Sequence, residues 1–144
     1  MRASQKVSYA IQRPGADRQP HVVLDPASKD RRLRLDISIL DLDGPWGWKK
    51  IRPEQLGPLQ EKLAHFGMMT WRQVSEHKNS GPIRLRKLVE EARRRLSRIR
   101  QDDGVDQLYH LRIGSRERVW GIRDRDVLKV LWWDPNHTVY ERKR

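Results

Sequence analysis

The stretch that decides the fold is LYHLRIGSRERVWGIRDRDVLKVLWWDPNHTVY, residues 108–140. It holds three runs rich in β-branched and aromatic residues, separated by short polar turns at residues 114–116 and 124–126. Residues two apart share one face of a strand, which places His110 and Arg112 on the same side. The third run is apolar except for Lys129, as expected of a strand covered on both faces. We predict a three-stranded antiparallel meander at residues 108–113, 117–123 and 127–133.

The chain before this meander predicts one strand and two or three helices. Apolar and polar residues alternate from Leu33 to Ile39, which is typical of a half-buried strand. An apolar stripe at a spacing of three and four residues predicts a helix over residues 53–66, and a capping box at Thr70 opens a short helix through Glu76. Residues 77–82 are predicted as a loop, and the clearest helical period runs over residues 85–100. Its face that we predict to be buried against the meander carries Leu88, Ala92, Leu96 and Ile99. The fold class is α+β, with the helices packed on one face of a small antiparallel sheet.

Length and charge restrict the partners. A chain of 144 residues is one domain by default, and its net charge of +12 favours a polyanion, above all nucleic acid, although an anionic membrane surface stays open. Residues 1–30 are basic and poor in apolar residues, and we interpret them as a mobile arm preceding a domain at residues 31–144. No apolar run approaches the roughly 20 residues of a membrane span, and no signal peptide is evident, which predicts a cytoplasmic protein.

Basic side chains on the outer face of the predicted helix at residues 85–100 are candidates for phosphate contact. Two glutamates there cannot balance the arginines, although a merely soluble helix surface would look the same. The candidate nucleic-acid-binding residues, including two on the meander, are Arg86, Arg93, Arg94, Arg98, Arg123 and Lys129.

The meander and the residues after it carry the candidate chemistry. There is no cysteine, no histidine pair at ligand spacing and no phosphate-binding glycine loop, so we predict neither a metal nor a cofactor. Arginines, histidines and a tyrosine on neighbouring strands suit RNA cleavage by the 2′-hydroxyl of the RNA itself. A base takes that proton, arginines stabilise the phosphorane charge, and an acid protonates the leaving oxygen.

These residues resemble the C-terminal half of the RelE/ParE toxin superfamily. The resemblance rests on residues 108–113, 118–120, 127–131 and 137–140, which cover about the last third of the chain. It implies a RelE-like fold and a toxin of a type II toxin–antitoxin system. Such a toxin is a metal-independent endoribonuclease that cuts messenger RNA, commonly on the ribosome, and is held inactive by a cognate antitoxin. The catalytic residues that it implies here are His110, Arg112, Arg118, His137 and Tyr140.

Two alternatives remain open at this point. The chain could be a basic nucleic-acid-binding module without catalysis, or a gyrase-directed toxin of the ParE type. The enzyme hypothesis predicts that the five candidate catalytic residues converge on one concave face. The binding hypothesis predicts that they are dispersed and that a basic stripe dominates the surface.

Overall fold

A computed structural model describes residues 25–141 as an α+β domain. Within this range the α-helices are α1 at Pro53–Gly67, α2 at Trp71–Ser75 and α3 at Glu90–Arg98. The β-strands are β1 at Arg34–Asp36, β2 at Gly81–Arg84, β3 at Gln107–Arg112, β4 at Arg118–Asp124 and β5 at Val127–Asp134. Short 3-10 turns lie at residues 26–30, 48–50 and 85–87. None of the helices between residues 25 and 141 has the length and apolar character needed to cross a membrane.

The described strands form one sheet in the order β1-β5-β4-β3-β2. The pairs β2–β3, β3–β4 and β4–β5 are antiparallel, which confirms the predicted meander. The strand predicted from Leu33 to Ile39 is present but short. It lies parallel to β5 at one edge of the sheet, pairing Arg34 with Val127, and it ends before the exposed Ile37.

A register shift bends the ladder between β4 and β5. Trp120 pairs with Trp132, whereas the next residue, Gly121, pairs with Val130, so Leu131 is the extra residue of a bulge. A Cβ on Gly121 would lie 2.5 Å from the carbonyl oxygen of Lys129, so only glycine permits this close approach of the two backbones. The bulge lets Leu131 and Trp132 join the same apolar cluster.

Helices cover both faces of the sheet, and the prediction that they pack on one face is wrong. Ala92 and Leu96 of α3 are buried against Leu108 and Trp120 on one face, together with Leu88 and the partly buried Ile99, as the helical period predicted. Helices α1 and α2 cover the other face through Leu59, Phe66, Trp71 and Val74. Strands β3–β5 are apolar at odd and even positions alike, so each face has to be covered.

The segment before α3 differs from its prediction. The chain forms a 3-10 turn at residues 85–87 and is extended at Leu88 and Val89, so the α-helix begins at Glu90 rather than at residue 85. The amide of Val89 donates to the carbonyl of Val139 at 3.0 Å, which holds this segment against the chain end in place of a helical turn. Residues 81 and 82, predicted as the end of a loop, belong to edge strand β2 because they pair with β3.

Part of the predicted basic arm is packed against the domain. Ser28 is buried and accepts a hydrogen bond from Nη2 of Arg123 at 3.1 Å, and Asp30 pairs with Arg72 at 2.9 Å. The domain therefore includes residues before the predicted boundary at residue 31. The rest of the predicted arm, residues 1–24, lies outside the described residues.

An ion pair between the buried Asp41 and the partly exposed Arg95 joins the loop after β1 to the core. The carboxylate of Asp41 accepts from Nε and Nη2 of Arg95 at 2.8 and 2.7 Å, and from the indole Nε1–H of Trp132 at 2.9 Å. In the same loop Trp46 is buried and its ring packs against that of Trp132, with 5.1 Å between the ring centroids, so this loop closes one end of the core.

Candidate functional site

A cavity of about 340 Å³ lies between the sheet and the chain end, near the lower limit of roughly 300–1,000 Å³ for ligand sites. One wall is the turn and strand at residues 79–83. The other walls carry four of the five candidate catalytic residues: His110, Arg118, His137 and Tyr140. They come from β3, from β4 and from the segment after β5, so the fold brings together residues that are up to 30 positions apart.

The meander register explains how the strand residues meet. His110 pairs with Trp120, and Arg112 pairs with Arg118, in the antiparallel ladder of β3 and β4. Side chains of directly opposed residues lie on the same face, so His110 and Arg118 share the face that carries Trp120. The His110 ring lies 4.7 Å from the Trp120 ring, centroid to centroid.

His110 is buried, with 7% of its surface exposed. Burial, followed by the charge of Arg118 and that of His137, lowers the pKa of His110 to about 4, while hydrogen bonding with the backbone of Asn79 and Gly81 opposes the shift. The imidazole is therefore neutral near pH 7. It can accept a proton from a bound group rather than supply one.

His137 reaches the cavity through a tight turn after β5. Its backbone has a φ of 57°, a left-handed conformation, and its ring lies 6.3 Å from that of His110 and 6.5 Å from that of Tyr140. The buried carboxylate of Asp134 shapes this turn by accepting hydrogen bonds from the amides of Thr138 and Val139, at 2.9 and 3.2 Å. Asp134 thus holds the turn that places His137 in the cavity.

The two candidate arginines meet at the turn between β3 and β4. Nη1 of Arg118 donates to the carbonyls of Gly114 and Glu117 at 3.0 Å, and Nε of Arg112 donates to the same Gly114 carbonyl at 3.0 Å. Arg118 is 4% exposed and lines the cavity, whereas Arg112 does not line it. The structure therefore places Arg112 beside the cavity wall and four of the five candidates on the wall itself.

The candidate nucleic-acid-binding residues fall into two groups. Four of them are exposed on α3 and the turn before it: Arg86, Arg93, Arg94 and Arg98. The guanidinium of Arg123 instead lies 4.0 Å from the centre of the Trp71 ring on the sheet face that α1 and α2 cover, and Nζ of Lys129 lies 3.5 Å from Asp124. Of the six candidates, those on α3 and the turn before it are the solvent-exposed ones.

Two site residues were not anticipated from the sequence. Asp134 precedes a proline in a turn, and Asp-Pro is a turn signal that does not reveal where the carboxylate points. Ser80 lines the cavity, and its Oγ lies 3.0 Å from Nδ1 of His77. The one indication of this contact in the sequence is that the two residues are three positions apart. Among residues 25–141, no group of three or more His, Asp or Glu side chains is arranged to hold a metal ion.

Comparisons with known proteins add no relative. No family model, no curated protein and no solved structure matches this chain.

Proposed function

We propose that this protein is a metal-independent endoribonuclease of the RelE type that cleaves RNA by attack of the 2′-hydroxyl on the adjacent phosphate. The observation that carries the proposal is the shared cavity of His110, Arg118, His137 and Tyr140 in a strongly basic chain. Two imidazoles, a guanidinium and a phenol are the groups that this reaction uses for proton transfer and charge stabilisation.

His110 is the candidate general base, although a pKa of about 4 makes it a weaker base than a free imidazole. Its pKa of about 4 keeps the ring neutral near pH 7, so it can take the proton of the 2′-hydroxyl as that oxygen attacks phosphorus. His137, across the cavity at 6.3 Å, then protonates the leaving 5′-oxygen. The products are a 2′,3′-cyclic phosphate and a free 5′-hydroxyl.

Arg118 and Tyr140 support this chemistry. The guanidinium of Arg118 is held in the cavity wall by backbone carbonyls, so its charge is in position before RNA arrives. That charge stabilises the extra negative charge of the phosphorane. Tyr140 lies 6.5 Å from His137 and offers a ring on which a base can stack.

The exposed arginines of α3 supply the substrate-binding surface. Val89, just before α3, is hydrogen-bonded to Val139, the neighbour of Tyr140, so the basic helix starts beside the cavity. This arrangement suits messenger RNA as the substrate, free or on the ribosome. A cognate antitoxin that covers the cavity is the partner that a toxin of this type requires.

The test uses purified protein and RNA oligonucleotides in the presence of EDTA. We expect cleavage that leaves a 2′,3′-cyclic phosphate and that stops when the nucleotide 5′ to the cut is replaced by its 2′-deoxy form. His137→Gln should reduce the rate at least 100-fold, as expected for loss of a general acid. His65→Gln is the matched control, because His65 is exposed on α1.

Two other outcomes would identify one of the alternative functions. RNA binding without cleavage by the folded wild-type protein would identify a nucleic-acid-binding module. Growth arrest on expression, with messenger RNA ends unchanged in primer-extension mapping, would favour the gyrase-directed toxin.

A further inference from the structure

Ser80 is a cavity residue to which the mechanism above gives no role. It lies in the turn between α2 and β2 and lines the cavity together with His110 and Arg118. Its Oγ accepts a hydrogen bond from the backbone N–H of Arg112 at 2.9 Å and lies 3.0 Å from Nδ1 of His77. Two neighbours from different segments therefore hold one hydroxyl at the cavity wall.

His77 is itself held in place. Its ring meets the edge of the buried Phe66 ring at 4.9 Å, which orients the imidazole from the side of α1. Burial, then the charges of Lys62 and Arg112, lowers the pKa of His77, so its ring is neutral near pH 7 and carries one N–H.

The turn that presents Ser80 is also well defined. Asn79 adopts a left-handed conformation with a φ of 67°, which asparagine tolerates better than most residues, and the amide of Ser80 donates to the carbonyl of His77 at 3.3 Å. The hydroxyl is thus oriented before any ligand binds, which reduces the entropy that binding costs.

A serine hydroxyl has one proton to donate and two lone pairs to accept with. The Arg112 amide occupies one lone pair. When Nδ1 of His77 carries the ring proton, its N–H donates to the second lone pair of the Ser80 hydroxyl. The hydroxyl proton is then left to donate to a group in the cavity. The guanidinium of Arg118, which lines the same cavity, favours an anion there.

We propose that Ser80 is the phosphate-binding hydroxyl of this cavity, held by Arg112 and by the Nδ1–H of His77 and donating its own proton to a phosphate oxygen. His77 is then a positioning residue that acts through Ser80. The identity of the ligand as the phosphodiester of RNA rests on the proposed ribonuclease function, whereas the anion site itself does not.

The experiment measures binding of inorganic phosphate to the full chain by two-dimensional NMR. Ser80→Ala should weaken phosphate binding about 10- to 100-fold, the range for loss of one hydrogen bond to a charged group. Ser80→Cys keeps the shape of the side chain, but a thiol is a weak donor, so this variant should also bind phosphate more weakly than wild type. Ser75→Ala is the matched control, because Ser75 is exposed at the end of α2.

A second measurement tests the role of His77. The ¹⁵N chemical shifts of its ring should show the proton on Nδ1, and His77→Phe, which retains packing on Phe66, should weaken phosphate binding without abolishing it. A ring protonated on Nε2 instead would overturn the proposed donor arrangement.

The failures of the two proposals are distinguishable. If wild-type protein cleaves RNA and Ser80→Ala binds phosphate with unchanged affinity, the role of Ser80 is wrong and the ribonuclease stands. If phosphate binding depends on Ser80 but RNA stays intact, the ribonuclease is wrong and the anion site stands. Absence of phosphate binding to the wild-type protein would overturn the Ser80 site.

Discussion

The indole N–H of Trp120 donates to Oδ2 of Asp134 at 3.0 Å, and both residues are fully buried. The same carboxylate accepts from the amides of Thr138 and Val139, so one buried side chain joins β4, β5 and the turn that carries His137. The bond fixes Trp120, whose ring packs on His110. The two cavity histidines are thus positioned through a single aspartate that does not line the cavity.

We expect Asp134→Asn to lower the free energy of unfolding by about 1.5–3 kcal/mol, because an amide cannot accept all of these hydrogen bonds and turns an N–H toward one of the donors. RNA cleavage should also fall, measured well below the melting temperature, since His137 loses its fixed position. The measurements are urea denaturation and cleavage rate. Asp43→Asn is the matched control, because Asp43 is exposed and pairs with Lys49 at the surface. Equal stability of the two variants would contradict this role of Asp134.

The stability of the domain should depend on the protonation of His110. The folded-state pKa is about 4, below the usual 6.5, so between these values the unfolded chain binds more protons than the folded one. Stability therefore rises with pH across this window and is lost as the pH falls from about 6.5 towards 4, by up to roughly 3 kcal/mol.

Urea denaturation at pH 7, 6, 5 and 4.5 measures this dependence. His110→Gln should flatten the curve relative to wild type, whereas His65→Gln, at an exposed position, should leave its slope unchanged. Parallel curves for all three proteins would show that His110 is not the responsible group.

The ion pair of the buried Asp41 with the partly exposed Arg95 should contribute to stability in a second pH range. Burial alone would raise the pKa of Asp41, but the hydrogen bonds from Arg95 and Trp132 outweigh it and lower the pKa. This stabilisation is present above the unfolded value near 3.8 and is lost as the pH falls through the lower folded value.

Arg95→Ala should cost about 3–5 kcal/mol at pH 7, since it leaves a buried carboxylate without its cation. Arg94→Ala is the control on the same helix, because Arg94 forms only an exposed pair with Glu90 at 3.7 Å, and such pairs contribute about 1 kcal/mol or less. Similar melting temperatures for the two variants would show that the Asp41–Arg95 pair stabilises the domain no more than a surface pair does.

We expect loss of Arg118 to damage RNA cleavage and toxicity more than loss of any other arginine. Arg118→Ala should reduce the rate about 100- to 1,000-fold, the usual effect of removing one preorganised donor. The cleavage rate of Arg118→Lys should lie between that of Arg118→Ala and that of wild type, because an ammonium group keeps the charge but not the planar set of donors. Arg116→Ala, at the exposed tip of the same turn, is the control. A folded Arg118→Ala variant with the wild-type rate would exclude Arg118 from the site.

RNA binding should weaken steeply with salt, and the slope should depend on α3. Arg98→Gln should reduce the slope of log K against log[salt] by about one, as expected for one lost phosphate contact. Arg52→Gln, at an exposed position before α1 on the other face of the sheet, should leave the slope unchanged. Identical slopes for both variants would place the RNA elsewhere on the surface.

Local pattern was sufficient for most of the secondary structure. The three runs between residues 108 and 133 predicted the meander and its sequential antiparallel pairing, because short turns leave few ways to pair neighbouring strands. The bulge opposite Gly121 was not predicted. The spacing of Ala92 and Leu96 predicted the buried face of α3 in the same way. Both patterns record which side of an element is apolar, and this depends only on residues close in sequence.

Tertiary structure decided what those patterns do not record. Strand β2 exists because β3 offers an edge to pair with. The apolar character of β5 on both faces was visible in the sequence, but which helix packs on which face depends on the folded chain. The cavity depends on contacts of the same long-range kind. Asp134 positions His137 through its hydrogen bonds to the turn that follows β5. Ser80 accepts a hydrogen bond from the amide of Arg112, which is 32 residues away in the sequence. The direction of a polar side chain depends on partners that only the folded chain brings within hydrogen-bonding distance, so residue identity alone did not reveal these roles.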